Sequence, residues 1–157
     1  MKKQRPTIPV HKWKLAINLE STRLIQNQKG TPVYGCECES CINWKANLDD
    51  VLPIKLKKEM VRVGINLKCP TDLYEFKSNK GQPNIRVLYH AVGKILSGPN
   101  QWKATEHGRS LTFDTVRNEP HLAMAVLAQN ESLEQAPSFQ KSFDGELLQI
   151  DLRLQLT

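Results

Sequence analysis

The chain has 157 residues, 22 of them Lys or Arg and 16 Asp or Glu, giving a formal charge of +6. A chain of this length forms one domain and buries about 70% of its unfolded surface, enough for a core without covalent staples. A hydrophobic share of 39% argues against disorder. No apolar run approaches the ~20 residues that cross a bilayer.

The opening stretch from Met1 to Lys12 is basic and lacks the apolar segment of a secretory signal, which predicts a cytoplasmic protein with reduced thiols and no membrane association. Pro6 and Pro9 block regular structure, so residues 1–11 read as a flexible basic lead-in to a single domain over 12–157. Trp13, Leu15, Ile17 and Leu19 alternate with Lys12, Lys14, Ala16, Asn18 and Glu20, the period of a half-buried strand. A turn follows over 26–32, where Lys29-Gly30-Thr31-Pro32 supplies the breakers.

Cys36-Glu-Cys38-Glu-Ser-Cys41 comes next, and Cys69 is the only other cysteine. The period then changes to that of helices. One is predicted over about 40–49, carrying Ile42, Trp44, Ala46 and Leu48. A second runs over about 53–63 from Pro53 to a left-handed cap at Gly64, with Asp49 and Asp50 at its positive end. Lys55, Lys58 and Arg62 share one face of it, opposite Leu52, Leu56, Met60 and Val63. That stripe reads as a solvated face, or as a phosphate-binding one.

Strands dominate from Thr71 onward. Asp72–Phe76 is one, with turn chemistry in Ser78-Asn79-Lys80-Gly81. The long apolar run 85–96 crosses the middle of a sheet, and Gly98-Pro99-Asn100 breaks it. Shorter strands follow over 111–116 and 121–127. Leu148, Ile150, Leu152, Leu154 and Leu156 then alternate with Gln149, Asp151, Arg153 and Gln155, an edge strand if the chain stops there. The class is α+β: a mainly antiparallel sheet with two helices packed on one face.

The cysteines carry the chemistry. Thiolates at i, i+2 and i+5 can wrap one ion, with Cys69 closing a tetrahedral zinc shell and Gly35 freeing the backbone for the turn. His11, His90, His107 or His121 are substitute fourth ligands. The competing readings are inert buried thiols and a redox role for Cys41 at a helix start, which Glu37 and Glu39 oppose electrostatically. His90 reads as a hydrogen-bonded sheet residue. Asp114 and Asp151 read as water-facing strand residues, and Glu106, His107, Glu119 and His121 as loop residues. Trp13 and Trp44 point inward. Trp102 lids the core or anchors a protein partner.

No nucleophile elbow, phosphate loop, HExxH helix or dinucleotide fingerprint is present. The expectation is an accessory or scaffold domain with a structural thiolate zinc site, Cys36, Cys38, Cys41 and Cys69 being the ligands. Two alternatives stand beside it. One is a ligand-binding protein or enzyme with a pocket between helices and sheet near Tyr89 and His90. The other is a weak nucleic-acid-binding module favoured by the positive charge.

Overall fold

Alternation and breakers divide the chain into short antiparallel pieces around one very long strand. The computed structural model describes residues 6–26, 36–77, 83–118, 120–132, 139 and 145–155. In chain order these form β1 (Thr7–Val10), β2 (Trp13–Ile17), α1 (Leu19–Ile25), α2 (Glu39–Val51), α3 (Ile54–Arg62), β3 (Asp72–Lys77) and β4 (Pro83–Ser97). There follow β5 (Trp102–Thr105), β6 (Gly108–Leu111), β7 (Asp114–Arg117), β8 (Leu122–Ala128), a 3-10 turn at Gln129–Glu131, and β9 (Leu147–Gln155). The fold is α+β, with three helices among the described residues and every described strand pair antiparallel. None of these helices is long and apolar enough to cross a membrane. The turn expected over 26–32 falls outside the described residues except for Gln26, and that expected over 78–81 falls outside them entirely.

The main sheet has the order β1-β2-β4-β9-β8-β7, with β3 also pairing β4, while β5 and β6 form a separate two-stranded ribbon. β4 belongs to two sub-sheets. Its first part lies between β3 and β9, and its last residues, from Gly93 on, pair with β2. The β1–β2 turn meets the start of β7: His11 Nε2 lies 2.5 Å from Asp114 Oδ2, though β1 and β7 stand at opposite ends of the strand order. The sheet therefore curls on itself and encloses its core.

Two glycines permit that curl. A Cβ on Gly93 would stand 2.1 Å from the Ala16 carbonyl oxygen of β2, so no other residue fits there without moving the strand. Gly98 turns the chain out of β4 at φ +139°, and a Cβ there would meet the Trp13 ring at 2.3 Å.

Inside the curl, Ile8, Val10, Trp13, Leu15 and Ile17 of the first sub-sheet share one core with Ile85, Val87, Tyr89, Ile150, Leu152 and Met124 of the second. Trp44, Leu48, Leu52, Leu56, Met60 and Val63, from α2, α3 and the residues at their C-terminal ends, join the same cluster. A polar triangle pins α2: the Trp44 indole N–H donates to the Leu67 carbonyl (3.0 Å) and the Tyr89 hydroxyl (3.1 Å), and that hydroxyl donates to the same carbonyl (2.6 Å). α3 ends in a Schellman cap, where Gly64 (φ 98°) donates to Val61 and Ile65 to Met60.

Several sequence expectations need correction. Residues 7–10 are a strand despite Pro9. Ile17 N–H donates to Pro6 O, so the hydrogen-bonded pairs of this hairpin fall on 6, 8 and 10, and Pro9 stands opposite Lys14 between them. Its missing N–H faces the free edge, where no donor is needed. β2 stops at Ile17 because Asn18 caps α1, its side chain accepting from Ser21 N–H at 3.0 Å. Asp49 and Asp50 belong to the last turn of α2 rather than to the approach to α3. The residues around 111 divide between β6 and β7, and β9 is central, between β4 and β8, instead of an edge.

Gly93→Ala is predicted to destabilise the fold by about 3 kcal/mol in urea unfolding, the range of a forced core rearrangement. Gly108→Ala, at φ +135° with nothing within 4 Å of the new methyl, should cost only the backbone strain of about 1–2 kcal/mol. Equal losses for the two would contradict the close approach of β2 to β4.

Candidate functional site

Cys36, Cys38 and Cys41 converge where the chain enters α2. Cys38 is the N-cap residue, extended at φ −66° and ψ 162°, and Cys41 is in the helix's first turn. Extended backbone before the helix and tight winding within it bring i, i+2 and i+5 together, and the three sulfurs lie within 4.8 Å of one another. Cys41 is buried, Cys36 half-buried and Cys38 exposed, and all three are free thiols.

Position sets the acidity of two of them. The Cys41 amide, then the Cys36 and Cys41 thiols and the Ser40 amide, stabilise the Cys38 thiolate and draw its pKa down to about 7. Burial pushes the Cys41 thiol up to about 12, and its two neighbouring thiols push in the same direction. The group thus offers one readily ionised sulfur and one that ionises only with a cation beside it. Ser40 donates to Glu75 of β3 at 2.9 Å, which ties this helix start to the sheet edge.

The remaining predicted ligands stand elsewhere. Cys69 is not one of the clustered thiols; it follows α3, half-buried, with its N–H on Asn66 O, and its sulfur raises the already burial-shifted Tyr89 phenol pKa. His11 holds Asp114, His90 lies inside, His107 is at the turn of the β5–β6 ribbon and His121 precedes β8. None of them joins the trio.

The opposite face of the sheet carries a polar row that alternation alone did not reveal. Asp151 was expected to face water and is fully buried. Arg86 Nε donates to both its oxygens (2.9 and 3.0 Å), and Arg86 Nη2 closes the fork on Oδ2. Gln149 Nε2 adds a bond at 3.2 Å, and Ser132 donates to Gln149 Oε1 at 2.7 Å. Burial pushes the Asp151 carboxyl up, against the opposing pull of Arg86, Arg153 and Gln149. The Arg153 guanidinium stacks over Phe113 at 4.2 Å. Asp114 was likewise expected to face water. It is largely enclosed; desolvation is the largest single influence and pushes its carboxyl up, but the bonds and charges of His11 and Lys12 together outweigh it and hold the carboxyl below the usual range.

His90 extends this row. Its Nδ1 meets Thr71 Oγ1 at 2.5 Å and its Nε2 meets Gln129 Oε1 at 2.6 Å. As expected, it is a hydrogen-bonded sheet residue. Tyr89 points the other way, into the apolar core, so these two neighbours do not share a pocket wall. Trp102 lies half-buried in the β5–β6 ribbon, under the Arg109 guanidinium at 4.9 Å.

No family model, curated protein or solved structure matches the chain.

Burial lowers the His90 pKa to about 4, and the Gln129 hydrogen bond offsets that only in part. An unfolded histidine titrates near ~6.5, so between these values unfolding takes up a proton. The contribution is complete above about pH 6.5 and is lost as pH falls toward 4, by up to about 3 kcal/mol. His90→Gln should remove that part of the acid sensitivity. Parallel stability–pH curves for the two proteins would contradict it.

Proposed function

We propose that the chain is a non-catalytic accessory domain of the cytoplasm in which a zinc ion on Cys36, Cys38 and Cys41 anchors α2. The convergence of three sulfurs within 4.8 Å at the start of a 13-residue helix carries this reading. Around tetrahedral zinc with bonds of ~2.3 Å, sulfurs stand roughly 3.8 Å apart, so the thiols need close by only about 1 Å or less. Zinc imposes no directional preference of its own and favours thiolate donors, which suits a loop-and-helix trio. The helix dipole stabilises negative charge at this end, and the ion neutralises what three thiolates would otherwise accumulate there.

Bound in this way, the ion links the chain entering α2 to the helix's first turn. It leaves one position for a non-protein ligand unless Cys69 moves to close the shell. α2 and α3 then lie together on one face of a single-domain sheet, the first fixed by metal and the Trp44 triangle, the second by its apolar stripe. The filled apolar contact among Trp44, Leu56, Met60 and Tyr89 supports a structural role over a ligand pocket between helices and sheet.

Protein purified without added metal should contain about one zinc per chain by elemental analysis, and removing it with a chelator should lower the melting temperature by about 5 °C or more. Cys36→Ser with Cys38→Ser should abolish zinc content, while Cys69→Ser should retain it. A metal content near zero, with all four thiols titrating freely, would overturn the proposal. Loss of zinc in Cys69→Ser would make the shell four-thiolate.

A further inference from the structure

The positive charge of this protein is not spread over its surface. Residues 1–17 hold five basic residues and no acidic one, and residues 93–114 hold three basic and two acidic. Eight against two is a surplus of six, the whole net charge of the chain. What remains is fourteen basic and fourteen acidic residues, electrically balanced. Two segments some eighty positions apart in sequence therefore carry the entire excess.

The fold puts the described parts of both, from residue 6 on, side by side. β1 and β2 pair with each other, and β2 pairs with the C-terminal part of β4. Trp13, Leu15 and Ile17 fill the core, so Lys14 and Ala16 face outward. Ala16 stands directly opposite Lys94, which places Lys94 on the same outer face as Lys14. Both lysines are exposed, and Pro9 and Thr7, the β1 residues paired with Lys14 and Ala16, are uncharged. Lys12, at the turn, is paired with Asp114 Oδ1 at 3.3 Å and is not one of the free cations of this face. The three cations of the opening residues precede β1 directly in the chain.

The ribbon follows β4 directly in the chain. β4 leads through Gly98-Pro99-Asn100 into β5 and β6, whose residues are exposed almost throughout and join none of the core cluster. A two-stranded ribbon on its own is marginal in water, so this one does not exist to bury surface. It presents Lys103 and Arg109, with Arg109 held over the Trp102 ring. At its root, the largely buried Gln101 leaves Oε1 without a hydrogen-bond partner, and the shielded Trp102 Nε1 also has none. These are an acceptor and a donor of the kind a polar ligand satisfies.

We infer that the outer face of β1, β2 and the end of β4, together with the β5–β6 ribbon, is a nucleic-acid-binding surface that engages the phosphate backbone through Lys14, Lys94, Lys103 and Arg109. An evenly spaced line of phosphates is the partner whose charge matches a face made of separated, uncompensated cations. α3 provides the contrast. Lys55, Lys58 and Arg62 are exposed there too, but residues 39–62 hold five basic and four acidic residues, nearly cancelling the field.

The test is fluorescence anisotropy of a labelled 20-nucleotide single strand, its RNA equivalent and its duplex. Affinity for at least one should fall about 100-fold or more between about 50 and about 200 mM salt, as for roughly four phosphate contacts. Lys14→Glu with Lys94→Glu, both on exposed positions, should weaken binding at least tenfold and flatten the salt slope by about two. Lys103→Ala with Arg109→Ala should weaken it independently. Replacing Lys55, Lys58 and Arg62 by Ala should change it less than twofold. Equal loss in the α3 variant overturns the assignment to this face. Absence of binding to all three probes at low salt overturns the inference itself, as does binding only to phosphatidylserine vesicles.

Discussion

Everything in this fold is arranged around the hydrogen-bonding needs of β4. Fifteen residues of continuous strand present two edges and two faces, and no single neighbour is long enough to serve them. β9 covers one edge over 84–92. The other is served in sequence by β3, then Thr71, α1 and finally β2. Thr71 donates through both N–H and hydroxyl to Leu88 O, Gln26 Nε2 donates to His90 O, and Asn18 N–H donates to Val92 O. The Thr22 hydroxyl accepts from Val92 N–H. α1 is thus a plug for the gap between two strands, and its polar residues are buried because backbone groups inside the protein must be paired. Gly93, just past the plug, then lets β2 close against β4.

Two faces follow from one alternation. Ile85, Val87, Tyr89 and Ala91 of β4 enter the apolar core, while Arg86 and His90 enter the polar row on the other side. A buried Arg–Asp pair such as Arg86–Asp151 roughly breaks even on stability, because desolvating two charges cancels most of their attraction. Its value lies elsewhere: on neighbouring strands, a slip of one residue would separate the charges and leave each uncompensated. The pair therefore locks the β4–β9 register at the centre of the sheet.

What could be read from the sequence was whatever depended on local period. The alternation from Leu148 to Gln155, the apolar run through β4, the helix from Pro53 to the Gly64 cap and the inward Trp13 and Trp44 all reappear in the structure. What was lost depended on distant partners. Asp151 looked solvent-facing because its Arg86 partner is 65 positions away. α1 was hidden by an alternation running through Leu19, although Asn18 with Glu20 in the following turn was an available capping signal. Pro9 argued against a strand only because nothing local shows which edge will be free. The convergence of Cys36, Cys38 and Cys41 was legible because it spans one turn of chain. Cys69 joined the group as the only other cysteine, and composition does not fix where a distant side chain ends up. The charge surplus near the start was visible, but its union with residues 93–114 required the β2–β4 pairing.

The thiol trio and the basic face are carried by different elements, α2 on one hand and β1, β2, β4 and the ribbon on the other, and they draw on unrelated chemistry. An ion bound at the start of α2 would reach the rest of the molecule through the Trp44–Tyr89–Leu67 triangle, which connects that helix to β4. X-ray absorption at the zinc edge of the purified protein addresses the central claim most directly. A shell of about three sulfurs near ~2.3 Å, completed by one lighter atom, is the result predicted. A shell of nitrogen and oxygen alone would contradict it.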